Sequence, residues 1–221
     1  MNESTAIPTT SSISVGARAA PPSHLVVLLH GVGADAASFQ DVARALSANS
    51  PHAEFLVPDG LDAFDGGGSG RQWFSVRGVT PENRPARVRE AGARVSKWID
   101  AELARRGLPA DRLVVGGFSQ GAIVAAWLGL HREPRPAAVV MLSGRVADDA
   151  KPVVGSGPRV FIGHGDRDPV MPVAEVASGE STLDAWGAQV TTRIYPGLGH
   201  QVDARELRDV GEFLKEVVEQ P

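Results

Sequence analysis

The stretch GGFSQGAIVAAW, residues 116–127, sets a serine between glycines where an apolar, strand-like run gives way to a helix-like run. Gly117 precedes Ser119 by two residues, and Gly121 follows it by two. A sharp strand-to-helix turn lifts a serine hydroxyl clear of the backbone, and its flanking positions must be small because the chain crosses closely there. We favour a nucleophilic serine over an ordinary glycine turn that contains one.

Apolar runs alternate with helix-like segments on both sides of this stretch. Short apolar runs that end at Gly or Pro are typical of strands buried on both faces. The alternation therefore predicts an α/β protein with a mostly parallel sheet and helices on both faces. The predicted strands are 25–31, 53–60, 111–118, 137–144, 158–165 and 189–197. The predicted helices are 84–106, 119–131, 172–187, one that Ser38 opens and one that runs from Asp203.

Two helix starts carry specific capping predictions. Ser38, with Asp41 three residues later, is a plausible N-cap for the first helix. In the last helix, which runs from Asp203, Glu206 stands in the capping position.

Composition limits the classes of function. The chain has 221 residues, enough for one sizeable domain, and a net charge of −4 from 26 acidic and 22 basic residues. This charge gives no electrostatic reason to expect nucleic acid or an anionic membrane as a partner. The chain has no cysteine, which excludes disulfides, thiolate metal sites and a cysteine nucleophile.

The N-terminal segment is the least regular part of the chain. Residues 1–22 are rich in Ser, Thr, Ala and Pro, and we expect a flexible arm or a weak edge strand before a domain at 23–221. The segment lacks the basic start and apolar core of a secretory signal. No apolar run approaches the roughly 18 residues that span a bilayer. We therefore expect a cytoplasmic protein with no stable membrane insertion.

A serine nucleophile needs a base and an acid that orients the base, and the acid is expected in a loop after a later strand. HGDRDPVMP, residues 164–172, supplies Asp166 and Asp168. Asp166 is suited to bracing the turn, because Asp readily bonds backbone two residues on. Asp168 lies further into the loop, where its side chain can turn back toward the serine. We favour Asp168 and keep Asp166 as the alternative.

The base is expected to be one of six histidines. His200 follows the last predicted strand in YPGLGH, where Gly197 and Gly199 leave the loop free to place it, and it comes after the acid. The predicted triad is Ser119, Asp168 and His200. The other histidines precede strands, end a helix or stand in strand-end His-Gly pairs, where structural roles are expected: His24, His52, His131, His30 and His164.

Two backbone amides are candidates for an oxyanion hole, which stabilises the charge that develops on a carbonyl oxygen. One is the amide of Gln120, directly after the nucleophile. The other comes from the loop after the first central strand, LLHGVGAD, where glycines allow close backbone approach. We choose Val32 for this second amide.

The irregular segment 60–84 contains three candidate substrate-binding residues, Arg71, Trp73 and Phe74. Loops of this length inside a compact domain are usually functional or disordered. Trp73 is a candidate for the acyl pocket, but a large aromatic is equally consistent with the core. Arg71 is a candidate for meeting an anionic group, although a solvated surface arginine is the more ordinary role.

Four motifs in register, LHGVGAD, GGFSQGA, HGDRDPVMP and YPGLGH, resemble the phospholipase/carboxylesterase family of α/β-hydrolases. The resemblance covers nearly the whole chain after residue 23. It implies an α/β-hydrolase fold, for which we expect no large cap domain, and a serine hydrolase that needs no cofactor or metal. It also implies the triad Ser119, Asp168 and His200, with oxyanion amides from Val32 and Gln120. The family acts on carboxylic esters, lysophospholipids or thioesters.

Two positions depart from the family pattern. Ala122 stands where family members often have a further glycine, and Ser75 stands where an aspartate is common. The first change is consistent with closer helix packing, and the second bears on the fine structure of the pocket.

Three functions remain open from the sequence. The first is a serine esterase for short or medium acyl esters, with lysophospholipids and acyl thioesters as further candidates. The others are a cofactor-free perhydrolase that uses the same triad, and a non-catalytic ligand-binding protein with the hydrolase fold. The expected partner is a small ester, and the expected assembly is a monomer or a homodimer.

Overall fold

A computed structural model describes residues 10–16, 21–148, 150 and 157–218. The predicted strands are all present, with ends that shift by a few residues, and two short strands that were not predicted lie within 60–84. The strands are β1 (Ser12–Val15), β2 (His24–Leu29), β3 (Ala53–Pro58), β4 (Asp62–Ala63), β5 (Arg71–Gln72), β6 (Leu113–Phe118), β7 (Ala138–Leu142), β8 (Arg159–Gly165) and β9 (Gln189–Tyr195). The helices are α1 (Ala36–Ser47), α2 (Arg84–Arg106), α3 (Gln120–His131), α4 (Ala174–Ala185) and α5 (Ala204–Val218).

Seven strands form one sheet in the order β1-β3-β2-β6-β7-β8-β9. All neighbours are parallel except β1, which pairs antiparallel with β3 at the edge. The central strands are buried on both faces, which explains why they read as continuous apolar runs. The carboxyl ends of β6, β8 and β9 therefore lie along one edge of the sheet.

Helices cover both faces of the sheet, as predicted. One apolar cluster joins the sheet to α2, α3 and α4 through side chains such as Val95, Val124 and Leu183. A second cluster lies on the opposite face under α1 and α5, with Leu46 and Leu214 at its centre. No cap domain covers the sheet in the part of the chain that the structure describes. Among these residues no helix is long and apolar enough to cross a membrane.

The predicted N-terminal arm is described only in part. Residues 12–15 form the edge strand β1, while residues 1–9 and 17–20 lie outside the described residues. The domain boundary at residue 22 stays a prediction.

The first helix begins earlier than predicted, and its cap is Asp35 rather than Ser38. An Asp35 carboxylate oxygen accepts a hydrogen bond from the Ser38 amide, and the Ser38 hydroxyl accepts one from the Asp35 amide. Ser38 therefore occupies the third helical position of a capping box. The predicted pairing of Ser38 with Asp41 is therefore wrong: the motif lies three residues earlier, and the Asp41 carboxylate instead accepts from Arg44.

The capping role predicted for Glu206 is also wrong. Asp203 caps α5 alone, because its Oδ1 accepts from the amides of Arg205 and Glu206. The Glu206 side chain is instead fully buried, and neither carboxyl oxygen has a partner among the described residues. The Glu206 side chain packs against Gly163 of β8: a Cβ added to Gly163 would lie 2.3 Å from Glu206 Oε1.

Burial makes Glu206 a group whose protonation is tied to folding. Loss of solvation, together with the negative charge of Asp203 and Asp209, raises its pKa to about 8, while Arg205 opposes the shift. The folded protein therefore holds a proton more tightly here than the unfolded chain does. The stability that this proton contributes is complete below the unfolded pKa and is lost as pH rises through the folded pKa.

We expect the free energy of unfolding to fall by on the order of 2–3 kcal/mol between about pH 6 and about pH 9, because the buried carboxyl must ionise. Urea denaturation across this range measures the slope. Glu206→Gln should flatten it, because the amide has a similar shape and does not titrate. Equal slopes for the two proteins would contradict the assignment.

Candidate active site

Ser119 occupies a turn with a backbone conformation that is unusual for a residue other than glycine. It lies between the end of β6 and the start of α3, with φ +54° and ψ −116°. Residues other than glycine rarely adopt a positive φ, and such strain clusters at functional sites. The Ser119 amide donates to the Leu142 carbonyl of β7, and its carbonyl accepts from the Ile123 amide. These bonds fix the backbone on both sides of the hydroxyl.

The glycines that flank the turn are required by close backbone contacts. A Cβ on Gly121 would lie 2.1 Å from the Leu29 carbonyl oxygen at the end of β2. A Cβ on Gly117 would lie 2.5 Å from the Gly121 carbonyl carbon. The first turn of α3 thus packs directly on β2 and β6, at the distances that only glycine allows.

The structure brings Ser119, His200 and Asp168 together from three separate segments. His200 Nε2 lies 2.9 Å from the Ser119 Oγ, and His200 Nδ1 lies 2.7 Å from an Asp168 carboxylate oxygen. An ionised carboxylate only accepts, so Nδ1 carries the ring proton. In the neutral ring, Nε2 is then the acceptor for the Ser119 hydroxyl.

Asp168 is suited to remain ionised although its side chain is buried. Burial alone would raise its pKa, but hydrogen bonds from the Met171 amide, the His200 ring and the Val170 amide outweigh it and hold the pKa below its usual range. Both amides bind Oδ1 at 2.8 Å, which leaves Oδ2 for His200.

Asp166, the alternative acid, points to a different partner. Its Oδ1 accepts a hydrogen bond of 2.7 Å from the Gly197 amide. It therefore ties the loop after β8 to the loop that carries His200.

Two other histidines near the site bond to backbone. His30 Nδ1–H donates to the Gly31 carbonyl, and its Nε2 accepts from the Gly60 amide. Burial lowers the pKa of His30, which favours the neutral ring that this pattern requires. His164 Nε2–H donates to the Met171 carbonyl, so His30 fixes the backbone after β3 and His164 fixes the backbone after β8.

The two candidate oxyanion residues lie beside Ser119. Val32 and Gln120 line the same cavity as the serine, and Gln120 is the first residue of α3. Neither backbone amide donates a hydrogen bond within the described residues. Free amides at a helix N-terminus carry partial positive charge, so the position favours an anion.

The side chain of Gln120 has a structural role that the sequence did not reveal. It is buried, its Oε1 accepts from the Trp73 amide, and its Nε2 donates to the Phe74 carbonyl, both at 2.8 Å. The start of α3 is thereby attached to the 60–84 segment. In the sequence, the position of Gln120 directly after Ser119 is the only sign of such a role, and it does not show that the side chain binds Trp73 and Phe74.

Of the three predicted substrate-binding residues, only Phe74 lines the cavity beside Ser119. Trp73 is 1% exposed and belongs to the core, where its Nε1–H donates to the His30 carbonyl. The Arg71 guanidinium donates to the Gly60 carbonyl, and its backbone pairs with Gly33 and Ala34. Trp73 and Arg71 therefore stabilise the loops around the site, because their side chains donate to the backbone carbonyls of His30 and Gly60.

At both positions that depart from the family pattern, Ser75 and Ala122, a neighbouring residue complements the change. The Ser75 hydroxyl donates to Asp65, whose carboxylate also accepts from the Val76 and Arg77 amides. Asp65 thus supplies a carboxylate beside Ser75, and these bonds hold its pKa at about 2. Ala122 is accommodated by Gly144, where an added Cβ would lie 2.5 Å from that of Ala122.

Two cavities flank the hydroxyl of Ser119. The Ser119 cavity has a volume of about 150 Å³ and is lined by Ser119, Gln120, Phe74, Val76, Val79 and Ile123, among others. The His200 cavity has a volume of about 370 Å³ and is lined by His200, Phe39, Val42, Phe118 and Val202, among others. Val32 lines both, so the two cavities adjoin at this residue. Within the described residues, no group of three or more His, Asp or Glu side chains is placed to hold a metal ion.

Several known proteins that are similar to this chain are named as esterases or thioesterases. The sequence profile of the phospholipase/carboxylesterase family matches residues 11–218. Esterase YpfH of Escherichia coli is 30% identical over 196 residues, which cover 88% of this chain and 83% of that protein. Acyl-protein thioesterase 1 of Mycosarcoma maydis is 29% identical over 89% of this chain and 92% of its own length.

Solved structures agree with this relationship. The crystal structure of esterase PE8 superposes with a TM-score of 0.85 at 26% identity and covers 94% of this chain and 99% of its own. The carboxylesterase of Bacillus cereus shares the fold with a TM-score of 0.78 at 21% identity over 94% of each chain. The chain therefore belongs to the phospholipase/carboxylesterase family of α/β-hydrolases and is an ester- or thioester-cleaving hydrolase.

Proposed function

We propose that the chain hydrolyses small carboxylic esters through a covalent acyl-enzyme intermediate on Ser119. The observation that carries the proposal is the continuous hydrogen-bond chain from Asp168 through His200 to Ser119, at a strained turn between two cavities. Lysophospholipids and acyl thioesters, which the family also uses, are the related substrates to compare.

The first half of the reaction forms the acyl-enzyme. His200 Nε2 takes the hydroxyl proton as the Ser119 Oγ attacks the ester carbonyl carbon. The carbonyl oxygen becomes an oxyanion, which the free amides of Val32 and Gln120 stabilise. Asp168 keeps the Nδ1 proton in place and stabilises the imidazolium. The imidazolium of His200 then gives its Nε2 proton to the leaving alcohol or thiol, and the bond between that group and the acyl carbon breaks, which completes the acyl-enzyme.

The second half releases the acid. Water then takes the place of the alcohol: His200 removes its proton, the resulting hydroxide attacks the acyl carbon, and Ser119 recovers its proton as the acid leaves.

The two cavities suggest which part of the ester lies where. The leaving oxygen must come within reach of His200 Nε2, so the leaving group belongs in the His200 cavity. The Ser119 cavity contains Ser119 and Gln120 but not His200, which favours it for the acyl group. Its volume of about 150 Å³ is below the roughly 300–1,000 Å³ of sites for drug-sized ligands, so short acyl groups fit best.

Initial rates on p-nitrophenyl esters of two to sixteen carbons are expected to peak at a short acyl chain, because the apolar Ser119 cavity is small. The measurement is kcat/KM across the series. A maximum at twelve carbons or more would contradict the assignment of this cavity to the acyl group.

Ser119→Ala should lower kcat on these esters by on the order of 10⁶-fold, because the nucleophile is removed. Adding His200→Ala should cost little more, since the triad acts as a unit. Thermal unfolding of each variant checks that the fold is retained. A serine variant with most of the activity of the parent would refute the covalent mechanism.

The two aspartates of one loop provide a matched pair. Asp168→Asn should lower kcat by about 10⁴-fold, because an amide no longer holds His200 in the required tautomer. Asp166→Asn keeps an oxygen acceptor for the Gly197 amide and should leave kcat within about threefold, as expected for a residue away from the chemistry. Steady-state rates compare them, and equal losses in the two variants would argue against Asp168 as the acid.

A further inference from the structure

Two arginine residues line the mostly apolar Ser119 cavity. Arg84, the first residue of α2, and Arg145, in the segment after β7, line it together with Phe74, Val76 and Val79. Neither arginine was singled out by the sequence. An ester with a purely hydrocarbon acyl group gives these two cations nothing to bind.

Arg145 already has partners in the protein. Its Nη1 lies 2.9 Å from the Glu175 carboxylate, and its Nε and Nη2 contact the Met171 sulfur at 3.1 and 2.9 Å. Its side chain is 18% exposed, so the ion pair is held partly away from water. The charge of Arg145 is therefore largely compensated.

Arg84 differs because its guanidinium makes no hydrogen bond or ion pair among the described residues. Its backbone amide donates to the Thr80 carbonyl, and the side chain is left free at the cavity. Burial and the positive charge of Arg145 lower the pKa of Arg84, and Glu175 and Glu82 offset this only in part. Among the described residues, the Arg84 guanidinium thus has no hydrogen-bonded counter-ion at the cavity.

We propose that Arg84 binds a carboxylate at the far end of the acyl chain, so that the preferred substrates are monoesters of short dicarboxylic acids. This proposal rests on the esterase function proposed above. A guanidinium matches a carboxylate through two parallel hydrogen bonds, and the apolar side chains around it strengthen the pairing. Arg145 lines the same cavity but is already paired with Glu175, so Arg84 is the cation available to the ligand.

The position of Arg84 also sets where the anion must be in the substrate. Arg84 lines the Ser119 cavity but not the His200 cavity, which receives the leaving group. A negative charge on the alcohol would therefore gain nothing from it. The acyl chain between the ester and the carboxylate has to be short, because the cavity is small.

The test compares two esters that differ only in charge: monoethyl glutarate and the ethyl ester of its terminal amide, followed by proton release. In the parent protein, kcat/KM should be at least about tenfold higher for the acid, chiefly through KM, as expected for a charge-assisted bidentate pair. Arg84→Met, which keeps the apolar stem, should bring this ratio close to one. Arg84→Lys should give a ratio between those of the parent and Arg84→Met, because lysine keeps the positive charge but cannot make two parallel hydrogen bonds to the carboxylate.

Arg193→Met is the matched control. Arg193 is exposed on β9 and lines neither cavity at the serine, so its loss changes the net charge equally but should preserve the preference for the acid. The anion-site proposal is overturned if the parent protein has similar kcat/KM for the acid and the amide, or if Arg84→Met leaves their ratio unchanged. Turnover that is lost in Ser119→Ala would still support the esterase function in either case.

Binding to the inactive protein separates the two proposals. Calorimetry of monoethyl glutarate with Ser119→Ala does not depend on turnover. Binding of the acid that is tighter than that of the amide, and that is lost in Ser119→Ala/Arg84→Met, supports the anion site even if neither ester is cleaved. Equal or absent binding of both overturns it.

Discussion

The backbone contact between α3 and β2 is the constraint on which the site depends. Gly121 lies so close to the Leu29 carbonyl that any Cβ would overlap it. This contact sets the first turn of α3 against the sheet and leaves Ser119 to accommodate the change of direction, at φ +54°. The strain is of the order of 1–3 kcal/mol, and the packing of a buried α3 between β6, β7 and α2 offsets it.

Loops around the serine are held in place by polar groups that themselves need partners. The Gln120 side chain binds the backbone of Trp73 and Phe74, Trp73 binds the His30 carbonyl, and the His30 ring binds the Gly60 amide. Each bond satisfies a buried group that would be costly to leave unpaired. The 60–84 segment is therefore attached to α3 and to the end of β2, which positions Phe74 at the cavity.

Local patterns in the sequence predicted the elements, Ser119 and His200, whereas the final choice of Asp168 over Asp166 depended on the family resemblance. The 3.6-residue periodicity of 84–106 predicted α2 with both ends correct, and apolar runs located the strands of the parallel sheet. Apart from the triad, the long-range partners of side chains could not be predicted. Whether Glu206 caps a helix or lies under β8, and whether Arg71 faces substrate or Gly60, depends on segments distant in the chain. Arg84 was overlooked because a charged helix start normally indicates a solvated face.

The central claim is that the hydroxyl of Ser119 is the group that the fold activates. Mass spectrometry of the protein after reaction with a fluorophosphonate tests it directly, because only a competent nucleophile displaces the fluoride. We predict one adduct, on the peptide that contains Ser119, and its loss in His200→Ala, since His200 Nε2 accepts the hydroxyl proton. No adduct, or an adduct on another residue, would contradict the account.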